Sequence, residues 1–396
     1  MAVKLTVDAG STLPEIERNV SERVAPLAQW TSPFLAAIGF PNRIEQVGST
    51  KHEHLEDTLT AHKATVNAAA TSSATSIVLN TGHGARFNRA GMVIQMDGSD
   101  ELMSLDSVPG ADTLTVTRAI LGSTGEAVAA SATARILFTP PVESESSFTP
   151  FSQNRTQVNN WLQIFRSKAS VTEDEASVTK IGIPNELRYQ ESQRIKELLR
   201  EIAYATFRGR AHATTPQGSA SIARTMNGII PLILTGSDPS THNAADGVLT
   251  QNMIDTVLND MHSKGGKPDV IVVNQAQKLK LNNLMEGRVR FGVEDNVLGC
   301  VVDEYQSPVG GLLKVLPADE FCPVDMLLIA SMALIQPVML GKADPARGQR
   351  MDGPFIIKPI GDTGLAAEEL IYTRYSCEFR NAGNGGHGIV RNLSTA

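Results

Sequence analysis

Residues 368–390 read EELIYTRYSCEFRNAGNGGHGIV, and two readings of this stretch lead to different folds. Its glycine run, GNGGHG at 383–388, matches G-x-G-x-x-G letter for letter. In a dinucleotide site those glycines let a turn approach a pyrophosphate, which rests on the N-terminus of the next helix, and an acidic residue about 20 positions on takes the ribose. The eight residues that follow Gly388 here, IVRNLSTA, offer neither the helix nor the acid. The residues before the glycines are rich in β-branched and aromatic side chains, and Ile389 and Val390 are strand formers again. The stretch predicts a glycine turn between two antiparallel strands.

Composition narrows the function classes. The chain has 396 residues, of which 41% are hydrophobic, enough for two or three compact units. A formal charge of −7 argues against a protein whose main work is gripping nucleic acid, since that work falls to lysine and arginine on phosphates. The three cysteines, Cys300, Cys322 and Cys377, form no C-x-x-C pair and read as buried free thiols. No signal-peptide core and no run of about 18 apolar residues occurs, so the expectation is a chain that folds in the cytosol, away from membranes.

Along the chain, residues 1–45 read as an arm with a short helix at 20–29, then the apolar patch TSPFLAAIGFP at 31–41. Five short β-type runs follow between 68 and 139, separated by Gly, Asp and Ser, and predict a small all-β module. DGSDE at 97–101 reads as a hairpin turn between two of them. TPPVESESSFTP at 139–150 marks the exit from the module, and TQVNNWLQIFRSKASVT at 156–172 reads as strand. The strongest helical pattern is PNELRYQESQRIKELLREIAYATFRGR at 184–210, with Pro184 suited to a first turn and Ile195, Leu198, Leu199 and Ile202 at helical spacing. It predicts a strut of about 40 Å with one buried face. Beyond it, helices at 250–266 and 275–285, a buried strand at 269–274, a strand pair within 299–317 and an apolar run at 326–336 predict an α+β domain.

The sharpest chemical cluster is KHEHLEDTLTAH at 51–62. In an extended chain His52, His54 and Glu56 share a face, so a metal site can be drawn; without H-E-x-x-H, a polar solvated arm is the plainer account. His212, His242, His262 and His387 stand singly at turns or helix ends, where capping or solvent suffices. G-x-S-x-G, a reactive-cysteine pattern and a phosphate loop are all missing, and Glu173–Asp174–Glu175 and Glu368–Glu369 are adjacent rather than converging acids. The 5% aromatic content is too sparse for a base-stacking surface. The expectation is no catalytic, cofactor-binding or metal residue, and no enzyme.

Several landmarks in order, TSPFLAAIG, NRIEQVGSTKHEHLEDTL, NRTQVNNWLQIFRSKASVT, the helix ending YATFRGR, RTMNGIIPLI and the closing EELIYTRYSCEFRNAGNGGHGIVRNL, resemble tailed-phage major capsid proteins of the HK97 fold, in the SU10-type subfamily. The resemblance covers essentially the whole chain. It implies an α+β HK97-like capsid fold: an N-terminal arm at 1–45, an E-loop at 46–180 with an all-β domain inserted at about 68–139, the spine helix of the peripheral domain at 181–221, an axial domain at 222–365 and the peripheral domain's C-terminal strands at 366–396. It implies hexamers and pentamers of an icosahedral shell around packaged double-stranded DNA, assembled in the host bacterial cytoplasm, with portal, scaffolding and decoration proteins as further partners. Relatives that crosslink use a lysine and an asparagine, but no position here matches closely enough to carry that role.

The residues support this independently. An extended arm and loop cannot cover their own apolar side chains, so Trp30, Phe34, Leu35, Trp161 and Phe165 are candidate contacts to neighbouring copies. Two other classes stay open: a surface adhesin or binding module that reads with the β-module, and a metal-dependent enzyme using His52, His54 and Glu56.

Overall fold

The computed structural model describes residues 33–57, 61–141, 143, 155–178, 185–284, 289–291, 303–307, 311–318, 321–360 and 365–395. The helix expected at 20–29, Trp30, Pro184 and Cys300 lie outside them. The chain divides into two compact units, one from 1–54 with 158–396 and the other from 55–157.

The 55–157 unit is all β. Six antiparallel strands run in the spatial order Lys63–Thr65, Thr133–Phe138, Val93–Met96, Leu102–Leu105, Thr113–Thr117 and Ser76–Val78. The first and last also meet, through Asn67 N–H to the Val78 carbonyl (2.8 Å) and Asn80 N–H to the Thr65 carbonyl (2.9 Å). Among the described residues the sheet thereby closes into a barrel. Alternation supplies the inside: in Thr113–Thr117 only Leu114 and Val116 are buried, and with Val66, Ile94, Met103 and Leu105 they fill the barrel with side chains. The 97–101 segment is the expected hairpin turn, with Gly98 at φ +81°.

In the larger unit a six-stranded sheet is built on the 14-residue strand Ala366–Phe379. One of its edges carries Gln163–Thr172 over ten residues; the other carries Phe355–Pro359 and Ile335–Leu340 in succession. Across these strands lies the long helix Glu186–Arg208. Asn185 caps it, its side-chain oxygen accepting from Arg188 N–H at 3.0 Å, and Leu198, Ile202 and Phe207 line its buried face.

A seven-stranded mixed sheet runs Ser240–Asn243, Gly388–Arg391, Leu327–Ala330, Val270–Val273, Gly311–Pro317, Asp303–Ser307 and Val289–Phe291. Val270 and Val272 join the core shared with the long helix, while Ile271 and Val273 face the core of helix Gln251–Ser263. A strand covered on both faces needs apolar residues throughout, which is why this one is written as an unbroken run.

The glycine stretch is not the hairpin that its sequence predicts. Ala366–Phe379 belongs to the six-stranded sheet, whereas Gly388–Arg391 pairs in parallel with Ser240–Asn243 and antiparallel with Leu327–Ala330 in the seven-stranded one. Residues 380–387 are a crossover between sheets. Its glycines serve close backbone approach: a Cβ on Gly383 would meet the backbone of Gly236, and one on Gly388 would meet Val257 and Met261. His387, expected at a solvated turn, is fully buried, its Nδ1 accepting from Ser331 N–H at 3.3 Å.

Candidate functional site

The chain leaves the larger unit along Lys51–Glu56 and returns along Thr156–Trp161, and these two strands pair with each other. Their root within the larger unit is polar and buried. Asn160, 3% exposed, donates from Nδ2 to the carbonyls of Asn227 and Cys377, both at 2.9 Å. Its Oδ1 accepts from Asn227 N–H at 2.9 Å and Trp161 N–H at 3.0 Å. Two donors and two acceptor positions make this amide fully satisfied, so it ties the returning strand to the Asn227 loop and the long central strand at once.

Beside it, His52 Nε2 lies 2.6 Å from Oε2 of Glu378, which is 2% exposed, and Arg380 donates to the other oxygen. Burial pushes the Glu378 carboxyl up, but hydrogen bonds from His52 and Arg380 and the charge of His54 outweigh it, and the net shift is downward. Glu378 is therefore a carboxylate at neutral pH. Lys51 completes the root, its Nζ 5.9 Å from the centre of the Trp161 ring.

The histidine cluster is used differently from a metal centre. His52 is engaged with Glu378, and Glu56 is buried. Among the described residues no group of three or more His, Cys, Asp and Glu side chains could hold a metal ion. Cys322 and Cys377 are fully buried; burial pushes the Cys322 thiol up to about 12 and pushes that of Cys377 up as well, so both behave as packing groups. No helix among the described residues is long and apolar enough to cross a membrane.

Of the five candidate contact residues, three are covered by their own chain. The short helix Pro33–Ala37 turns Phe34, 0% exposed, onto Phe207 with ring centroids 4.4 Å apart, and buries Leu35 in the same core. Phe165 is buried against Tyr375. The end of the long helix and the central strand supply the cover that the sequence reading expected from a neighbour. Trp161 is partly exposed, and Trp30 lies outside the described residues.

Two charge clusters, each built on a buried glutamate, were not read from the sequence. Arg350 forks onto both oxygens of Glu369, each at 2.9 Å, and also donates to Glu191 on the buried side of the long helix. In the barrel Glu101 pairs with Arg118. A trace of the first was present, because Glu191 falls on the apolar row of Ile195, Leu198 and Ile202.

A sequence-family model described as SU10 major capsid protein matches residues 4–394. Among solved structures, the chain is similar to one in the capsid asymmetric unit of cyanophage A-1(L), with a TM-score of 0.52 at 11% identity over 98% of this chain and 99% of that one. It is also similar to a chain of Microbacterium phage Oxtober96 (TM-score 0.48, 11% identity, 96% of each chain). A further likeness is to the SrpI encapsulin of Synechococcus elongatus PCC 7942 (TM-score 0.45, 11% identity, 65% of this chain and 85% of that one). No curated protein matches the sequence. The cyanophage likeness is one of fold.

Proposed function

This chain belongs to the SU10 major capsid protein family, and from that premise we propose that it closes as hexamers and pentamers into an icosahedral shell around the packaged double-stranded DNA of a tailed phage. The shell-forming role and the HK97-like fold are those of the family and of the cyanophage capsid chain. The match over residues 4–394 carries the reading, because its span takes in nearly the whole chain, the 55–157 unit included. The adhesin reading has no support from the family match or from the capsid neighbour.

In this proposal residues 46–180 are the E-loop with the β domain inserted, 181–221 the spine helix, 222–365 the axial domain and 366–396 the closing peripheral strands, after an arm at 1–45. Copies of the chain are its first partners; portal, scaffolding and decoration proteins and DNA follow, with assembly in the host bacterial cytoplasm. Trp161 and Trp30 stay as proposed contacts between copies. Function then lies in interfaces and no residue is assigned a catalytic role. Sedimentation velocity and negative-stain imaging of the purified chain test this. Rings, tubes or shells are expected, and a monomer at every salt concentration and pH contradicts it.

A further inference from the structure

The barrel unit holds one loop in a fixed conformation that does not suit the residue at its tip. Between Thr113–Thr117 and Val128 the chain reads RAILGSTGEA, 118–127. Glu101, 1% exposed, accepts from Ala119 N–H at 3.1 Å and Glu126 N–H at 2.9 Å, and Arg118 Nε donates to it at 2.7 Å. Arg118 also donates to the carbonyls of Thr71 (3.0 Å), Ala74 (3.1 Å) and Glu126. Nearer the tip, Ser123 Oγ accepts from Leu102 N–H at 3.0 Å and donates to the Ile120 carbonyl at 2.7 Å, and Ile120 N–H donates to the Leu102 carbonyl at 3.0 Å. A buried ion pair and a ring of hydrogen bonds thus fix both ends and the middle.

What they fix is strained. Ala119 and Leu121 both sit at φ +54° and Gly122 at +81°. The left-handed region suits glycine or asparagine, and a leucine there is an outlier. Leu121 is also 73% exposed, the highest value for a large hydrophobic among the described residues. Asparagine or glycine would relieve both the backbone and the exposed apolar surface, so leucine gains nothing in the isolated chain. Strain retained in this way points to a contact. The tip, AILGSTG at 119–125, carries no charge, so it offers nothing to a phosphate backbone.

We propose that the 118–127 loop is a preset contact by which the barrel unit of one copy grips apolar surface on a second copy of this chain, with Leu121 as the anchor. This rests on the shell reading, in which copies of the chain contact one another and head-to-tail contacts close rings. A loop already rigid loses little freedom on docking, and one apolar side chain seated at the centre of a contact can dominate it.

The test uses the full chain and two altered forms. Leu121→Asn suits the backbone angle, so thermal unfolding of the unassembled chain is expected to be unchanged or slightly raised, while the concentration needed for assembly rises about tenfold. A photo-reactive benzoylphenylalanine at position 121 is expected to give a covalent product of two copies when assembled particles are irradiated. If the unaltered chain assembles and Leu121→Asn assembles at the same concentration, the contact is overturned while the shell reading stands. Irradiated particles that yield no two-copy product overturn it as well. If the unaltered chain never assembles, the shell reading falls and takes the contact with it.

Discussion

Replacing Asn160 with alanine removes a side chain that bonds the returning strand, the Asn227 loop and the central strand together. Four hydrogen bonds are lost, two to backbone N–H groups and two to carbonyls, around a site that is 3% exposed. At a net value of about 1 kcal/mol each the loss is about 4 kcal/mol, and a water entering the space left by the amide returns about 1 of it. The expected destabilisation is about 3 kcal/mol, a large share of the 5–15 kcal/mol typical of a domain. Aspartate is the sharper variant. It keeps the oxygen facing Asn227 N–H and Trp161 N–H but turns a second oxygen toward two carbonyls, so its protonated form is favoured in the folded state. A carboxyl raised in this way stabilises below its unfolded value and loses that contribution as pH rises, so Asn160→Asp should weaken from about pH 4 upward. Urea unfolding of the unassembled full-length chain measures both variants, and hydrogen exchange of the Asn227 and Trp161 amides locates the damage. A change below about 1 kcal/mol for alanine, with both amides still protected, would refute the clamp.

Arg350→Ala strips Glu369 of its forked cation and leaves Glu191 with only Arg188, 3.5 Å away, and should lower stability by about 1–2 kcal/mol in thermal unfolding, since Arg350 is itself partly exposed; Arg350→Lys recovers only part, because the fork onto Glu369 is lost. Glu378 has its carboxyl held below the ordinary 4.5, so its contribution is present above that value and disappears as pH falls through the lower folded one. Unfolding followed from pH 6 to pH 3 should therefore show an acid-side loss that Glu378→Gln flattens. Cys322, with its thiol pushed up to about 12, should resist iodoacetamide at pH 8 in the folded chain and react once urea unfolds it, as read by peptide mass spectrometry.

Local pattern carried the elements, and distant contacts decided how they were joined. The long helix was legible because its apolar residues recur at helical spacing; its cap, Asn185, was not, because the sequence suits Pro184 to the first turn. Thr113–Thr117 was legible from alternation, but the three-residue strand Lys63–Thr65 is too short to show any period. The glycine run looked like a hairpin because nothing within it reveals Gly236 and Val257, the distant neighbours that require its missing side chains. Phe34 and Leu35 looked like contacts to other copies because Phe207, which covers Phe34, is far along the chain. The positive φ of Leu121 is a property of the folded loop, and ILG in a sequence does not display it. The histidines of 51–62 suggested a ligand set, yet the partner of His52 is Glu378, more than 300 residues away.

In the proposed function this chain is the repeating unit of a closed shell. A cryo-electron microscopy reconstruction of the particles formed by the purified chain tests it most directly. Fivefold and sixfold rings of this chain closing with icosahedral symmetry are expected, each copy fitted by the fold described. Particles without fivefold positions, or rings into which this fold cannot be placed, would contradict it.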